Sequence, residues 1–303
     1  MPATQLYVIG NGFDLWHDIP SRLSDFKDYV RVHDLALIRE VEEYLPTQDN
    51  WSDLEVALAG LDVDELVDNL GHFMAPYSAE DWSDAGHHDF QYEVDNVVQR
   101  LSVGLRQRFG AWIRQLSIPT PAAAPRRLHS LDRNAAFLSF NYTSTLQTVY
   151  GVPPERTLFI HGCAELADDE LVLGHAWSPD TRKSLNDRPG IEEIDTRLME
   201  AHEIIDEYFS ATFKPSAHLI KSNRSFFESL NHVREVTVLG HSLSEVDAAY
   251  FHALFEQPAL AATHWHVACR SMADWSGYRQ RLAQMGLPPA QVQLAQPMLW
   301  DAL

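Results

Sequence analysis

Four apolar runs in the 303-residue chain each end in side chains able to hold a ligand or move a proton. Gln5–Ile9 hands over to Gly10-Asn11-Gly12-Phe13-Asp14, and residues 136–140 hand over to Asn141-Tyr142-Thr143. Residues 157–160 lead into His161-Gly162, and Glu235–Leu239 into Gly240-His241-Ser242, with Asp247 shortly after. Glycines after a strand let backbone amides approach an anion such as a pyrophosphate, and a helix following the first turn would aim its positive N-terminal end there. Leu15 stands where a G-x-G-x-x-G fingerprint has its third glycine, so this turn alone does not specify a dinucleotide. Asn141 offers both an amide donor and a carbonyl acceptor, which suits ribose hydroxyls or a water molecule. An asparagine here also reads as a helix cap, in competition with Thr143 and Ser144, for a helix over residues 146–150. His161 is a proton acceptor near neutral pH, and Gly162 behind it leaves room for a substrate.

The elements that must position these groups follow from the runs themselves. Each is short, mostly apolar and bounded by glycine or polar residues, the pattern of a strand buried on both faces in a parallel sheet. Open α/β sheets of this kind take ligands outside the carboxyl ends of their strands, where the four junctions fall. Residues 264–269 and 291–295 read as further strands flanking a helix over Met272–Gln284. Between the first two runs the periodicity is helical, as in Trp51-Ser-Asp-Leu-Glu55, where Ser52 reads as the cap and Glu55 as the third helical residue. The expected organisation is one domain over residues 1–303, with a helical insertion at 51–118 and a second helical excursion at 190–230. Pro119–Pro125 serves as the linker back to the sheet, and Gly174-His175, after residues 171–173, is expected to line the same cleft.

Composition narrows the function classes. Lys and Arg number 23 against 43 Asp and Glu, a net charge of −20, which argues against a broad phosphate-neutralising nucleic-acid face. Two cysteines, Cys163 and Cys269, cannot supply a disulfide framework or a four-cysteine zinc module. No apolar run approaches the roughly 20 residues of a membrane span, and the N-terminus lacks a signal peptide's features, so a cytoplasmic protein is expected. The 15 histidines, including His87-His88, show no metal-ligand spacing, and no metal is expected. Gly240-His241-Ser242-Leu243-Ser244 approximates a nucleophile elbow, but Ser244 replaces the last glycine, and His264 and Asp274 follow in the wrong order for that fold. A serine hydrolase therefore ranks below a nucleotide-binding turn.

Six blocks in register resemble the AbiH family of bacteriophage abortive-infection proteins: residues 9–15, Trp51–Glu55, Phe140–Thr143, Ile160–Gly162, Leu173–His175, and Leu239–Ser244 with Asp247. That family in turn resembles the sirtuin-like NAD-binding proteins of antiphage systems, which carry a glycine turn, an Asn-Tyr-Asp-like block, a His-Gly block and a late glycine turn. Here Gly10-Asn11-Gly12 differs from the usual Gly-Ala-Gly, and Thr143 takes the place of the aspartate. The resemblance implies a Rossmann-like, sirtuin-like fold and an antiphage effector that binds NAD and hydrolyses its nicotinamide–ribose bond, with Asn141 and His161 as the catalytic pair. It implies that Gly10, Asn11 and Gly12 cradle the pyrophosphate, with Gly240, Ser242 and Asp247 opposite. Phe13, Asp14, Tyr142, Thr143, Gly162, Gly174, His175 and His241 complete the expected binding surface. Restraint of such an activity calls for an oligomer or an activating partner, expected through the helical insertion. The alternative from another class is a dinucleotide sensor without catalysis; a metal-dependent phosphoesterase or nuclease ranks lower.

Overall fold

Along the first strand Leu6 and Val8 alternate with Tyr7 and Ile9, and all four are buried, so this strand faces protein on both sides. The computed structural model describes residues 2–74, 88–166, 171–187, 189–191, 194–269 and 272–295, so that His87 and the C-terminal residues lie outside it. In chain order β1 (Gln5–Ile9) and α1 (Gly12–Trp16) are followed by α2 (Leu23–His33), α3 (Leu35–Tyr44), α4 (Leu54–Ala57), α5 (Val63–Leu70), α6 (Asp89–Gln99) and α7 (Leu105–Ile113). Next come β2 (Ala136–Ser139), α8 (Thr145–Tyr150), β3 (Thr157–Phe159), α9 (Thr196–Ala211), α10 (Ser216–Ser222) and α11 (Arg224–Ser229). After these come β4 (Glu235–Leu239), α12 (Ala248–Phe255), α13 (Pro258–Ala261), β5 (His264–Val267), α14 (Met272–Gln284) and β6 (Val292–Leu294).

The six strands form one sheet in the order β3-β2-β1-β4-β5-β6, every neighbouring pair parallel. This is the α/β, Rossmann-like arrangement expected from the sequence. One face packs Leu6, Val8, Leu138 and Val238 against Tyr250, Phe251 and Leu254 of α12. The other packs Tyr7, Ile9 and Phe137 against Phe13 of α1 and Leu146 and Val149 of α8. Burial of each such aliphatic or aromatic side chain contributes roughly 1.5–3 kcal/mol. The direction of winding reverses between β1 and β4, which makes their boundary the switch point of the sheet.

The chain divides into two compact units. The first comprises Met1–Arg22, Ala111–Val172 and Pro215–Leu303 and contains the whole sheet. The second comprises Leu23–Gly110 and Leu173–Lys214 and is built of helices. Within the second unit Trp51 is fully buried, edge-on to Phe26, and Glu55 forms an ion pair with the buried Lys214 at 2.9 Å. Ser52 is not the cap of the helix that follows. Trp51 takes a left-handed backbone (φ 56°) as it turns into the core, so α4 starts later, with Asp53 at its N-terminal boundary, while the Ser52 hydroxyl donates to Gln48 Oε1 at 3.1 Å.

At the switch point the turns after β1 and β4 touch. The Gly12 amide donates to the Gly240 carbonyl at 2.8 Å, and a Cβ on Gly12 would lie 2.7 Å from Gly240 Cα. Gly240 has φ 69°, and a Cβ there would overlap the Phe13 amide nitrogen. Gly240→Ala is therefore expected to lower stability by about 1–3 kcal/mol, through overpacking and a disfavoured backbone region. Gly277→Ala, inside α14 with open space around the new methyl, should raise it by up to about 1 kcal/mol. Urea midpoints of the two variants test the contrast.

Candidate functional site

The ladder sets the residues beyond the strand ends at one level. Ile9 lies opposite both Ser139 and Leu239, and Ser139 lies opposite Phe159. Two residues beyond these positions come Asn11, Asn141, His241 and His161, so four polar residues follow the ends of four adjacent strands at the same offset.

Asn11 is engaged within the protein. Its Nδ2 donates to the Ser21 carbonyl at 2.8 Å, and the Ser21 hydroxyl donates to its Oδ1 at 2.6 Å. Three amides of the glycine turn are likewise satisfied: Gly10 donates to Leu239 at 3.0 Å and Phe13 to Gly10 at 2.8 Å, beside the Gly12 bond already described. The helix expected to face an anion here, α1, is only five residues long and ends where Asp18 turns left-handed. Its end is fixed by a closed chain of hydrogen bonds, with His17 Nδ1 2.7 Å from the Phe13 carbonyl and Nε2 2.7 Å from the Tyr150 hydroxyl, which accepts from the Leu128 amide. Burial holds the His17 pKa below its ordinary value.

Asn141 differs. Its residue is 4% exposed, yet among the described residues neither the nitrogen nor the oxygen of its side-chain amide has a hydrogen-bond partner of ordinary geometry. It is not the cap of α8, whose N-terminal boundary residue is Ser144. A buried polar group left without a partner costs about 1–3 kcal/mol, so this amide needs a reason other than folding.

Asp14 lies beside it, fully buried. Thr143 Oγ1 donates to one carboxylate oxygen and Thr145 Oγ1 to the other, each at 2.7 Å. Burial pushes the Asp14 pKa up to about 6, against the opposing effect of the two hydroxyls and the Asn141 amide. The amide is near enough to favour the charged carboxylate but makes no bond of ordinary geometry with it.

His161 and His241 both approach Asp247, at the start of α12. His161 Nε2 lies 3.7 Å from one carboxylate oxygen and His241 Nε2 lies 3.4 Å from the other, so the carboxylate bridges the rings. His241 Nδ1 accepts from the Leu243 amide at 2.8 Å, which puts the proton of the neutral ring on Nε2, facing Asp247. The Tyr250 hydroxyl is 3.3 Å from His161 Nε2. Phe140 packs edge-on to both histidines, with centroids at 5.4 Å to His161 and 4.3 Å to His241, and Tyr142 stacks on His161 at 6.1 Å. The two neighbours of Asn141 thus bracket the His161 ring. Gly162, at φ 84°, makes the turn behind it.

Gly174 and His175 belong to the second unit, where His175 forms an isolated parallel bridge with Phe213 and is buried among aromatic rings. Ser242 is exposed, and its carbonyl accepts from Arg281 at 2.7 Å. Besides Gly240, the left-handed residue of that turn is Leu243, at φ 55°, whereas a nucleophile elbow places its strain at the serine. Among the described residues no group of three or more His, Cys, Asp or Glu side chains is arranged to hold a metal ion, and no helix is long and apolar enough to cross a membrane. Tyr250 and Thr145 went unread in the sequence, although spacing carried a signal: Tyr250 stands one helical turn beyond Asp247, and Thr145 shares a turn with Thr143.

Fold and site together define an α/β protein with polar groups gathered at the carboxyl ends of a doubly wound parallel sheet. A family model described as bacteriophage abortive infection AbiH matches residues 6–269. The chain belongs to the AbiH family, whose role is in bacteriophage abortive infection. No curated protein and no solved structure matches it.

Asp14 gives the site a stability signature. Its pKa is raised in the folded chain from 3.8 to about 6, so its contribution is fully present below about pH 3.8 and is lost as pH rises through about 6. Asp14→Asn should accordingly gain stability relative to the parent between pH 5 and pH 8, by about 1.4 kcal/mol of the roughly 3 kcal/mol that the whole titration carries. Chemical denaturation at the two pH values reads the change.

Proposed function

We propose that the first unit binds NAD across the carboxyl ends of β1–β4 and hydrolyses its nicotinamide–ribose bond as the effector step of abortive infection. The observation that supports this reading is the buried Asn141 amide, unpartnered among the described residues, which follows the end of β2 at the same offset as His161 follows β3. Asn141 would hold a ribose hydroxyl or the attacking water. As the C1′–nitrogen bond breaks, the ring nitrogen keeps the bonding pair and nicotinamide leaves neutral. Water then adds to the oxocarbenium carbon and gives its proton to His161. Asp247 complements the charge that His161 acquires, and Tyr250 helps to fix the ring. The contacting glycine turns form the floor beneath the dinucleotide, since the Gly10, Gly12 and Phe13 amides are already bonded inside the protein. The reading includes restraint by an oligomer or an activating partner through the helical unit, where Val56, Tyr92 and Val103 are exposed apolar side chains.

A sensor that binds without turnover is the second reading. It is favoured by Thr143, whose hydroxyl is engaged by Asp14 and leaves the turn after β2 with no carboxylate of its own.

Incubation of the purified chain with NAD, with nicotinamide and ADP-ribose quantified and the thermal shift recorded, separates the two. His161→Ala and Asn141→Ala are each expected to reduce turnover by about 10²-fold or more while the protein still unfolds cooperatively. NAD loss unchanged in both variants would overturn the hydrolase; a shift in melting temperature without any product would select the sensor.

A further inference from the structure

Asp14 is a buried carboxylate for which, among the described residues, no lysine, arginine or histidine forms an ion pair. The charge facing it from another segment is Glu165, of the same sign, and the groups bonded to it are the neutral hydroxyls of Thr143 and Thr145. An uncharged asparagine could occupy the same space and exchange hydrogen bonds with both hydroxyls, which accept as well as donate. Folding alone therefore does not call for a carboxylate here. What a negative charge adds is orientation. Among the described residues the Asn141 amide beside it makes no hydrogen bond of ordinary geometry to fix which way it points, and its two ends are nearly identical in shape but opposite in polarity.

We propose that Asp14 is a positioning residue: its charge, anchored through Thr143 and Thr145, draws the NH₂ end of Asn141 toward itself and leaves the carbonyl end to face the ligand. The inference rests on the reading of Asn141 as a ligand-holding group, and it names the chemistry of its partner. A carbonyl facing the ligand accepts a hydrogen bond, so the group seated there is a donor, a hydroxyl or a water, and not an acceptor such as a phosphate oxygen or a carboxamide carbonyl. Asp14 also acts from outside the run of residues that carries Asn141, tying the turn after β1 to the turn after β2 across adjacent strands.

The test first reads the coupling of the Asn141 amide to the Asp14 charge, before any activity is considered. In the parent protein the side-chain amide signal of Asn141, assigned in ¹⁵N spectra by its loss in Asn141→Ala, should shift with pH, with a midpoint at about 6 where Asp14 titrates. In Asp14→Asn the signal should be flat from pH 4.5 to 8. With NAD as the probe, the parent should lose turnover below about pH 6. Asp14→Asn should show at least about a tenfold lower kcat, with KM changed less and the Asp14 titration gone from the acid limb, which then reflects His161 alone. A parent amide signal that ignores the Asp14 titration overturns the inference without recourse to any variant. So does an Asp14→Asn protein with parental kcat and pH profile. If the parent protein does not turn over NAD at all, the hydrolase reading fails by itself, and the amide titration still decides the role of Asp14.

Discussion

The contact between Gly12 and Gly240 is the constraint on which the polar end of the sheet depends. β1 and β4 are adjacent and parallel, and their chains leave the sheet on the way to different helices, so two turns compete for the space above one boundary. Side chains on both would force the turns apart. With hydrogen in place of Cβ they meet, the amide of one donating to the carbonyl of the other. Phe13 is then seated against the core, Asp14 comes under the turn after β2, and His241 is set where its ring packs on Phe140. The same contact uses up amides that a glycine turn might offer to a phosphate. Here the glycines act first on the architecture, and ligand chemistry falls to the side chains around them.

Two polar systems result, of different character. Around Asp14 the partners are neutral hydroxyls, the burial is complete and the carboxylate is held away from its ordinary titration range. Around Asp247 the partners are two imidazoles and, through His161, a phenol, a set in which a proton can be taken up and its charge offset nearby. Asn141 belongs with the first through the proximity of its amide to Asp14. It belongs with the second through its neighbours Phe140 and Tyr142, which both lie against His161. A fixed dipole beside a mobile proton is the arrangement that hydrolysis of a polarised bond asks of a site.

The strands and their junctions were legible because a strand buried on both faces leaves an unbroken apolar run, and such a run must stop where polar residues begin. Gln5–Ile9 and Glu235–Leu239 stand where the sequence places them. Local reading fails where the partner is distant. Nothing near Asp14 announces that Thr143 and Thr145 bond to it, and nothing near Glu55 announces Lys214. Asn141 shows the limit from the other side: its spacing before a helix suits a cap, and only the three-dimensional position of Ser144, with the absence of any partner for the amide, removes that explanation. The extent of the helical unit was hidden for a related reason. It draws on residues 23–50 and 173–214 as well as on the stretch after Trp51, and pairing between separated segments leaves no periodic mark in any one of them.

An unpartnered buried polar atom is not by itself a functional signal. The indole nitrogens of Trp51 and Trp265 and the ring nitrogens of His175 are in the same condition, and each belongs to a side chain whose ring has a packing role in a core or an aromatic cluster. A large ring gains enough by burial to carry one unsatisfied nitrogen. An asparagine gains almost nothing, because its side chain is nearly all amide, and both of its polar ends are unsatisfied here. The adjoining Asp14 carries a charge that burial opposes and that no cation among the described residues offsets, whereas Lys214, buried as deeply, has Glu55 at 2.9 Å. Two neighbouring groups that folding disfavours, on turns joined by their own hydroxyl bonds and placed at the ends of parallel strands, are more demanding of explanation than either alone. A bound donor group on Asn141 would satisfy the amide and give the Asp14 charge its purpose, and no rearrangement of the surrounding core is needed to admit that account.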